Sequence, residues 1–265
     1  MTSPLSTLPI ADWPRYLSGL VLVMIRISGV MVFAPFFSSE AIPVRVKTVF
    51  VLAFSILLAP VVSVLPLSRA ELGPFEIIGE LSVGLIFGLQ LSLLNEILLF
   101  CGQVLGFQFS FSLVNLLDPD APIQVPLLSQ MFSLMGTMIL LASGLHRDIL
   151  LAFLRSFQAA PVGAVILPGN LGLELVKEMS GVFFAALQLA APVMAATILA
   201  EVAVGALGKL SPQLPVMVVS VPAKTMLGYI SLIGSLALWP NFLEGHFSTL
   251  LDRAEFLVRH MVAAP

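Results

Sequence analysis

Six stretches of apolar residues follow one another along the chain, at 16–37, 48–67, 77–101, 127–145, 181–207 and 216–239. The second carries no charged residue. At 1.5 Å rise per residue, a run of that length covers about 30 Å as a helix, the hydrocarbon thickness of a bilayer. In lipid, only helices and closed barrels satisfy their own backbone groups, and these runs are too long and continuous for barrel strands. The pattern therefore predicts an all-α integral membrane protein, built of helical hairpins from about six long apolar helices. Pro60, Pro192 and Pro222 fall inside apolar runs. Each removes a backbone donor and predicts a kink.

The gaps between runs carry turn chemistry. Residues 38–43 close the first run, and 66–74 hold Arg69 and Glu71 between prolines. Gly208, Lys209, Ser211, Pro212 and Pro215 predict a tight bend, which makes 176–241 a helical hairpin. The opening segment lacks a basic stretch followed by an apolar core, so it is not expected to be a cleavable signal peptide.

Polar residues interrupt the runs. Arg26, Glu80, Glu96, Glu201 and Lys224 would each cost about 2.5–3.5 kcal/mol at mid-span on insertion scales. They are expected either to pair with neighbouring subunits or line an aqueous path, or to reach the headgroups from near helix ends. Two Gly-x-x-x-Gly pairs, Gly84–Gly88 and Gly102–Gly106, permit close helix approach. The segment 106–124, GFQFSFSLVNLLDPDAPIQ, is different in kind. Phe107, Phe109 and Phe111 alternate with Gln108, Ser110 and Ser112, which predicts an extended or irregular stretch with one apolar face. At membrane depth such backbone must be buried in protein or line a cavity. It reads as a plug or gate loop, or as a connection folded over the helices.

Composition agrees with the pattern. Of 265 residues, 58% are hydrophobic and 10% charged, with a mean hydropathy of +1.06. Soluble domains carry about 25% charge. The formal net charge of −3 gives no nucleic-acid footprint. A lone cysteine, Cys101, rules out an internal disulfide and a cysteine-rich metal site. With six spans, Arg15, Arg69, Arg147, Arg155, Lys177, Arg253 and Arg259 fall on one side, against Arg45, Lys47 and Lys209 on the other. That imbalance predicts both termini on the cytoplasmic side.

Catalytic signatures are sparse. There is no P-loop, and His146, His246 and His260 form no zinc-protease motif. Ser220 and Lys224, four apart, have the spacing of a Ser–Lys dyad, but no oxyanion hole is evident beside them. No enzyme activity and no cofactor is expected. A small polytopic transporter that uses the intraspan charges as a relay is the alternative.

Four blocks, in order, resemble the FliR family of flagellar type III export-gate proteins, related to the SctT proteins of virulence secretion. They are RISGVMVFAPFFSSEAIPVRVK (26–47), GQVLGFQFSFSLVNLLDPDAP (102–122), GLHRDILLAFLRSFQAAPVG (144–163) and ALQLAAPVMAATILAEVAVGALGKLSPQLPVM (186–217). The resemblance implies one copy of this chain assembled with FliP and FliQ, wrapped by FlhB and served by FlhA, in the bacterial inner membrane at the flagellar basal body. It would be surrounded by lipid and conduct exported flagellar proteins. It implies a FliP-like region over 1–175, with a plug at about 106–122, and a FliQ-like hairpin with a C-terminal tail over 176–265. On this reading Phe107, Phe109, Phe111 and Leu116 pack the plug, and Asp118, Pro119 and Pro122 set its geometry. Arg26, Glu80, Glu201 and Lys224 are the expected intersubunit or pore charges.

Overall fold

The computed structural model describes residues 13–33, 42–62, 72–109, 127–211, 213 and 216–262. The segments expected to close the first two runs (38–43 and 66–74) and most of the plug segment lie largely outside them. The described residues form α1 (Trp13–Phe33), α2 (Val44–Val62), α3 (Pro74–Gln108), α4 (Leu127–Ala142), α5 (Leu145–Ala159), α6 (Leu171–Leu210) and α7 (Val216–Ser235). A single 3₁₀ turn at Leu236–Leu238 then leads into α8 (Trp239–His260). Among the described residues, β structure is confined to an isolated antiparallel bridge, Val165–Val262.

Among these residues, five helical stretches are long and apolar enough to cross a membrane, and α4 with α5 makes a sixth candidate. The all-α membrane fold expected from the pattern is thus the observed one. Helix α6 ends at Leu210 and α7 begins at Val216, so the break between them lies within the Gly/Pro cluster, whose Gly208 and Lys209 are still helical. Helix boundaries differ more. α3 has 35 residues and α6 has 40, about 52 and 60 Å of helix at 1.5 Å per residue. Both exceed the ~30 Å hydrocarbon core, so part of each runs beyond it or is covered by protein. Pro74 opens α3, where its missing N–H costs nothing, and Glu76 sits in the first turn against the helix dipole. Helices α2, α6 and α7 continue through Pro60, Pro192 and Pro222.

The extended reading of the phenylalanine alternation is corrected at its start. α3 continues through Gln108, and Phe109 occupies a turn. Five residues of period-two pattern do not overcome a helix already propagating through some thirty residues, each adding its bond at little cost.

The chain divides into two compact units. The first comprises Met1–Ser92, His146–Leu175 and Phe247–Pro265. Its core joins Leu22, Val23, Ile27 and Met31 of α1 to Val51 and Val62 of α2, with Phe157 and Val162. Phe153 makes edge contacts with Phe87 (6.0 Å) and Phe157 (5.4 Å). Residues 160–166 are tied down by the Val165–Val262 bridge and by the Ile166 N–H donating to the Met261 carbonyl at 2.6 Å.

The second unit comprises Leu93–Leu145 and Val176–His246. Here α3 and α4 are joined by Ser129 Oγ donating to the Leu99 carbonyl (2.8 Å) and Ser133 Oγ donating to Asn95 Oδ1 (2.6 Å). Gly102 lies against the Ser129 backbone. Phe132 meets Trp239 edge-on at 4.8 Å. On the hairpin, Ser231 Oγ donates to the Pro192 carbonyl at 3.1 Å.

Candidate functional site

Arg26 and Glu80 lie in the first unit, and both are fully buried. Arg26 Nε donates to Glu80 Oε2 at 2.6 Å. Its Nη2 donates to the Ala160 carbonyl at 2.9 Å and its Nη1 to Ser156 Oγ at 3.4 Å. The guanidinium carbon stands 4.3 Å from the centre of the Phe157 ring, a cation–π contact strengthened by the burial of both side chains. The second carboxylate oxygen of Glu80 accepts from the Gly163 N–H at 3.0 Å. Gly163 has φ +76°, a conformation only glycine adopts without strain, and it belongs to the turn that offers this N–H.

Two charges that looked costly in isolation therefore consume each other inside the unit. One node fastens α1, α3, the end of α5 and the 160–163 turn. Such a node is worth little net against an apolar core of equal volume, but breaking one half of it is expensive. From the sequence these residues were expected to face another subunit or a pore. Their side chains are directed instead at partners within the same unit.

Glu201 of α6 and Lys224 of α7 lie on facing arms of the hairpin in the second unit, and the lysine donates to the carboxylate. Lys224 is largely covered, whereas the Glu201 side chain is 51% exposed among outward-facing Ile198, Leu199 and Val202. Of the Ser220–Lys224 spacing, the lysine ammonium is thus engaged by Glu201. Glu96, the other intraspan acid, is exposed.

Phe107 and Phe109 diverge. Two helical positions place them roughly 200° apart around the axis. Phe107 is 70% exposed, and Phe109 is buried against Tyr229, ring centroids 4.8 Å apart. Phe111, Leu116, Asp118, Pro119 and Pro122 lie outside the described residues.

Sequence reading missed the receivers: Ser156, Phe157, Ala160 and Gly163 around Arg26, and Gly228 with Tyr229 around Phe109. The only local signal for any of them was the Ala-Pro-Val-Gly turn after α5. The packing of Gly84 against the Arg26 carbonyl and Gly29 Cα realises one Gly-x-x-x-Gly pair inside the chain.

The family model for bacterial export proteins, family 1, matches residues 17–250. The chain belongs to the FliR family of bacterial export proteins. It is 30% identical over 221 residues to the flagellar biosynthetic protein FliR of Bacillus subtilis (strain 168), covering 81% of this chain and 85% of that protein. It is 26% identical to the FliR of Aquifex aeolicus (strain VF5), covering 92% and 95%. With the FliR of Escherichia coli (strain K12) the identity is 22%, covering 91% and 93%. The protein is thus a membrane-embedded export protein of flagellar biosynthesis. The matched region contains the Arg26 node, the Glu201–Lys224 pair, Phe107 and Phe109.

Proposed function

We propose that this chain is a structural and gating subunit of the flagellar export gate, conducting unfolded flagellar proteins across the bacterial inner membrane. Family membership over nearly the whole chain carries the reading. The geometry supports it in two ways. The buried charges close on one another rather than forming a relay, which disfavours a transporter. The exposed Phe107 stands at the end of α3, where the resemblance places the start of the plug.

The mechanism is steric and involves no catalysis. A hydrophobic constriction excludes water and ions until an exported chain displaces it. Phe107, Phe111 and Leu116 supply the apolar packing, and Asp118, Pro119 and Pro122 shape the loop. Residues 1–175 act as the FliP-like part and 176–265 as the FliQ-like hairpin. FliP and FliQ are the assembly partners, FlhB wraps the complex, and FlhA delivers substrate beneath it.

Co-expression with FliP and FliQ from the same source, followed by native mass spectrometry, is the direct test. A single copy of this chain in a multi-subunit complex is expected. A stable monomer or homodimer that retains neither partner would overturn the proposal.

The half-exposed Glu201 gives a second prediction. An ion pair with one exposed member contributes about 0–1 kcal/mol to the chain itself. A carboxylate on an apolar face, however, is stable only where a partner or water covers it. Glu201→Gln and Lys224→Met are therefore expected to leave the melting temperature of the isolated chain within a few degrees of wild type and to lower the yield of co-purified FliQ. Equal loss of both would place the pair in the fold rather than the assembly.

A further inference from the structure

The Phe109 N–H still donates to the Leu105 carbonyl at 2.9 Å, so the residue closes the last turn of α3. Its side chain is 2% exposed. One face of the ring stacks on Tyr229 at an interplanar angle of 27°. The edge lies over Gly228, where an added Cβ would come within 2.8 Å of Phe109 Cδ1 and closer still to Cε1. The same Cβ would stand 3.1 Å from Thr197 Cγ2. The Thr197 hydroxyl turns back to the Val193 and Met194 carbonyls of its own helix, which leaves its methyl for the slot. Gly228 lies within α7, and its φ is not positive. Glycine is disfavoured there relative to alanine on helix propensity. What it provides is room for the ring.

We propose that Phe109 is a positioning residue: seated between Thr197, Gly228 and Tyr229, it fastens the C-terminal end of α3 to the α6–α7 hairpin. It thereby sets where the chain leaves α3 and which way Phe107 faces. The two phenylalanines, alike in sequence, divide into an anchor and a presented ring. The functional consequence rests on the export-gate reading above; the slot itself rests on packing alone.

The test uses the full chain in its assembled complex and four variants: Gly228→Ala, Phe109→Leu, the double variant, and Phe107→Ala. Native mass spectrometry reports assembly, and ion conductance of vesicles carrying the complex reports leak. Gly228→Ala and Phe109→Leu are each expected to raise leak roughly two- to tenfold, the range that loss of one aromatic pair gives. The double variant is expected to leak no more than Phe109→Leu alone, because the shorter leucine clears the added methyl. If Gly228→Ala does not assemble, recovery of assembly in the double variant is the same coupling read another way, and Phe109→Leu alone still reports on leak. Additive effects, or a Gly228→Ala protein identical to wild type, would overturn the anchor. Leak from Phe107→Ala with none from the slot variants also overturns the anchor while leaving the gate reading intact. Absence of leak from all four in an assembled complex removes the gate reading and the functional role of the anchor with it.

Discussion

Arg26→Ala is expected to cost about 3–5 kcal/mol of folding stability, because it leaves the Glu80 carboxylate buried without its cation. The arginine holds Glu80, Ser156 and the Ala160 carbonyl at once, so its loss also orphans a backbone acceptor. Each buried polar group left unpaired adds about 1–3 kcal/mol. Loss of Glu80 strands the guanidinium and the Gly163 N–H in the same way. The apolar pair Arg26→Met with Glu80→Leu removes both charges and is expected to recover part of the deficit. It will not recover all of it, since the Ala160 carbonyl and the Gly163 N–H remain unsatisfied. The measurement is the melting temperature of the purified chain in detergent for the two single variants and the double, with swarming motility alongside. A melting temperature unchanged in Arg26→Ala would remove the node from the list of forces holding this unit together. Single variants that melt normally but no longer co-purify with FliP would return these charges to the intersubunit role first expected for them.

The helical type, and the five or six stretches long and apolar enough to span, were legible because lipid imposes a single rule. An uncharged run such as 48–67 must satisfy its backbone internally, and length separates helix from strand. Their boundaries were less legible. α3 and α6 extend into stretches of weaker hydropathy because a helix, once started, is propagated by its own hydrogen bonds rather than by lipid. Arg26 and Glu80 stood out individually, since charge inside an apolar run demands an explanation. Their pairing did not, because they are 54 positions apart, and the turn that completes the node lies more than 130 positions from Arg26. Such proximity comes from tertiary packing and leaves no local pattern. The phenylalanines show the opposite failure. Their alternation was visible, but only the angular step of the helix separates a buried Phe109 from an exposed Phe107. The slot that decides it depends on Gly228, a residue whose significance is an absence of atoms.

Two glycine substitutions on α3 are expected to act with opposite sign, although both lie in Gly-x-x-x-Gly pairs. At Gly84 an added Cβ would overlap the Arg26 carbonyl oxygen and stand 3.0 Å from Gly29 Cα. Both neighbours are backbone, so no rotamer change can make room. α1 would have to move, and Arg26 moves with it, tethered as it is to Glu80 and Ala160. Gly84→Ala is therefore expected to destabilise the chain by about 1–3 kcal/mol, the usual cost of overpacking, even after the helix-propensity gain of about 1 kcal/mol. Larger residues such as leucine should abolish accumulation in the membrane. At Gly106 nothing lies within 4 Å of the added carbon, so Gly106→Ala gains propensity without a clash and should stabilise the isolated chain by up to about 1 kcal/mol. Melting temperatures of the two alanine variants, measured side by side on the isolated chain, decide the matter. If both shift the same way, the close approach of α1 and α3 at Gly84 is not what the motif provides. If Gly106→Ala stabilises the isolated chain but lowers recovery of the assembled complex, the open side of Gly106 is where a neighbouring subunit's helix packs.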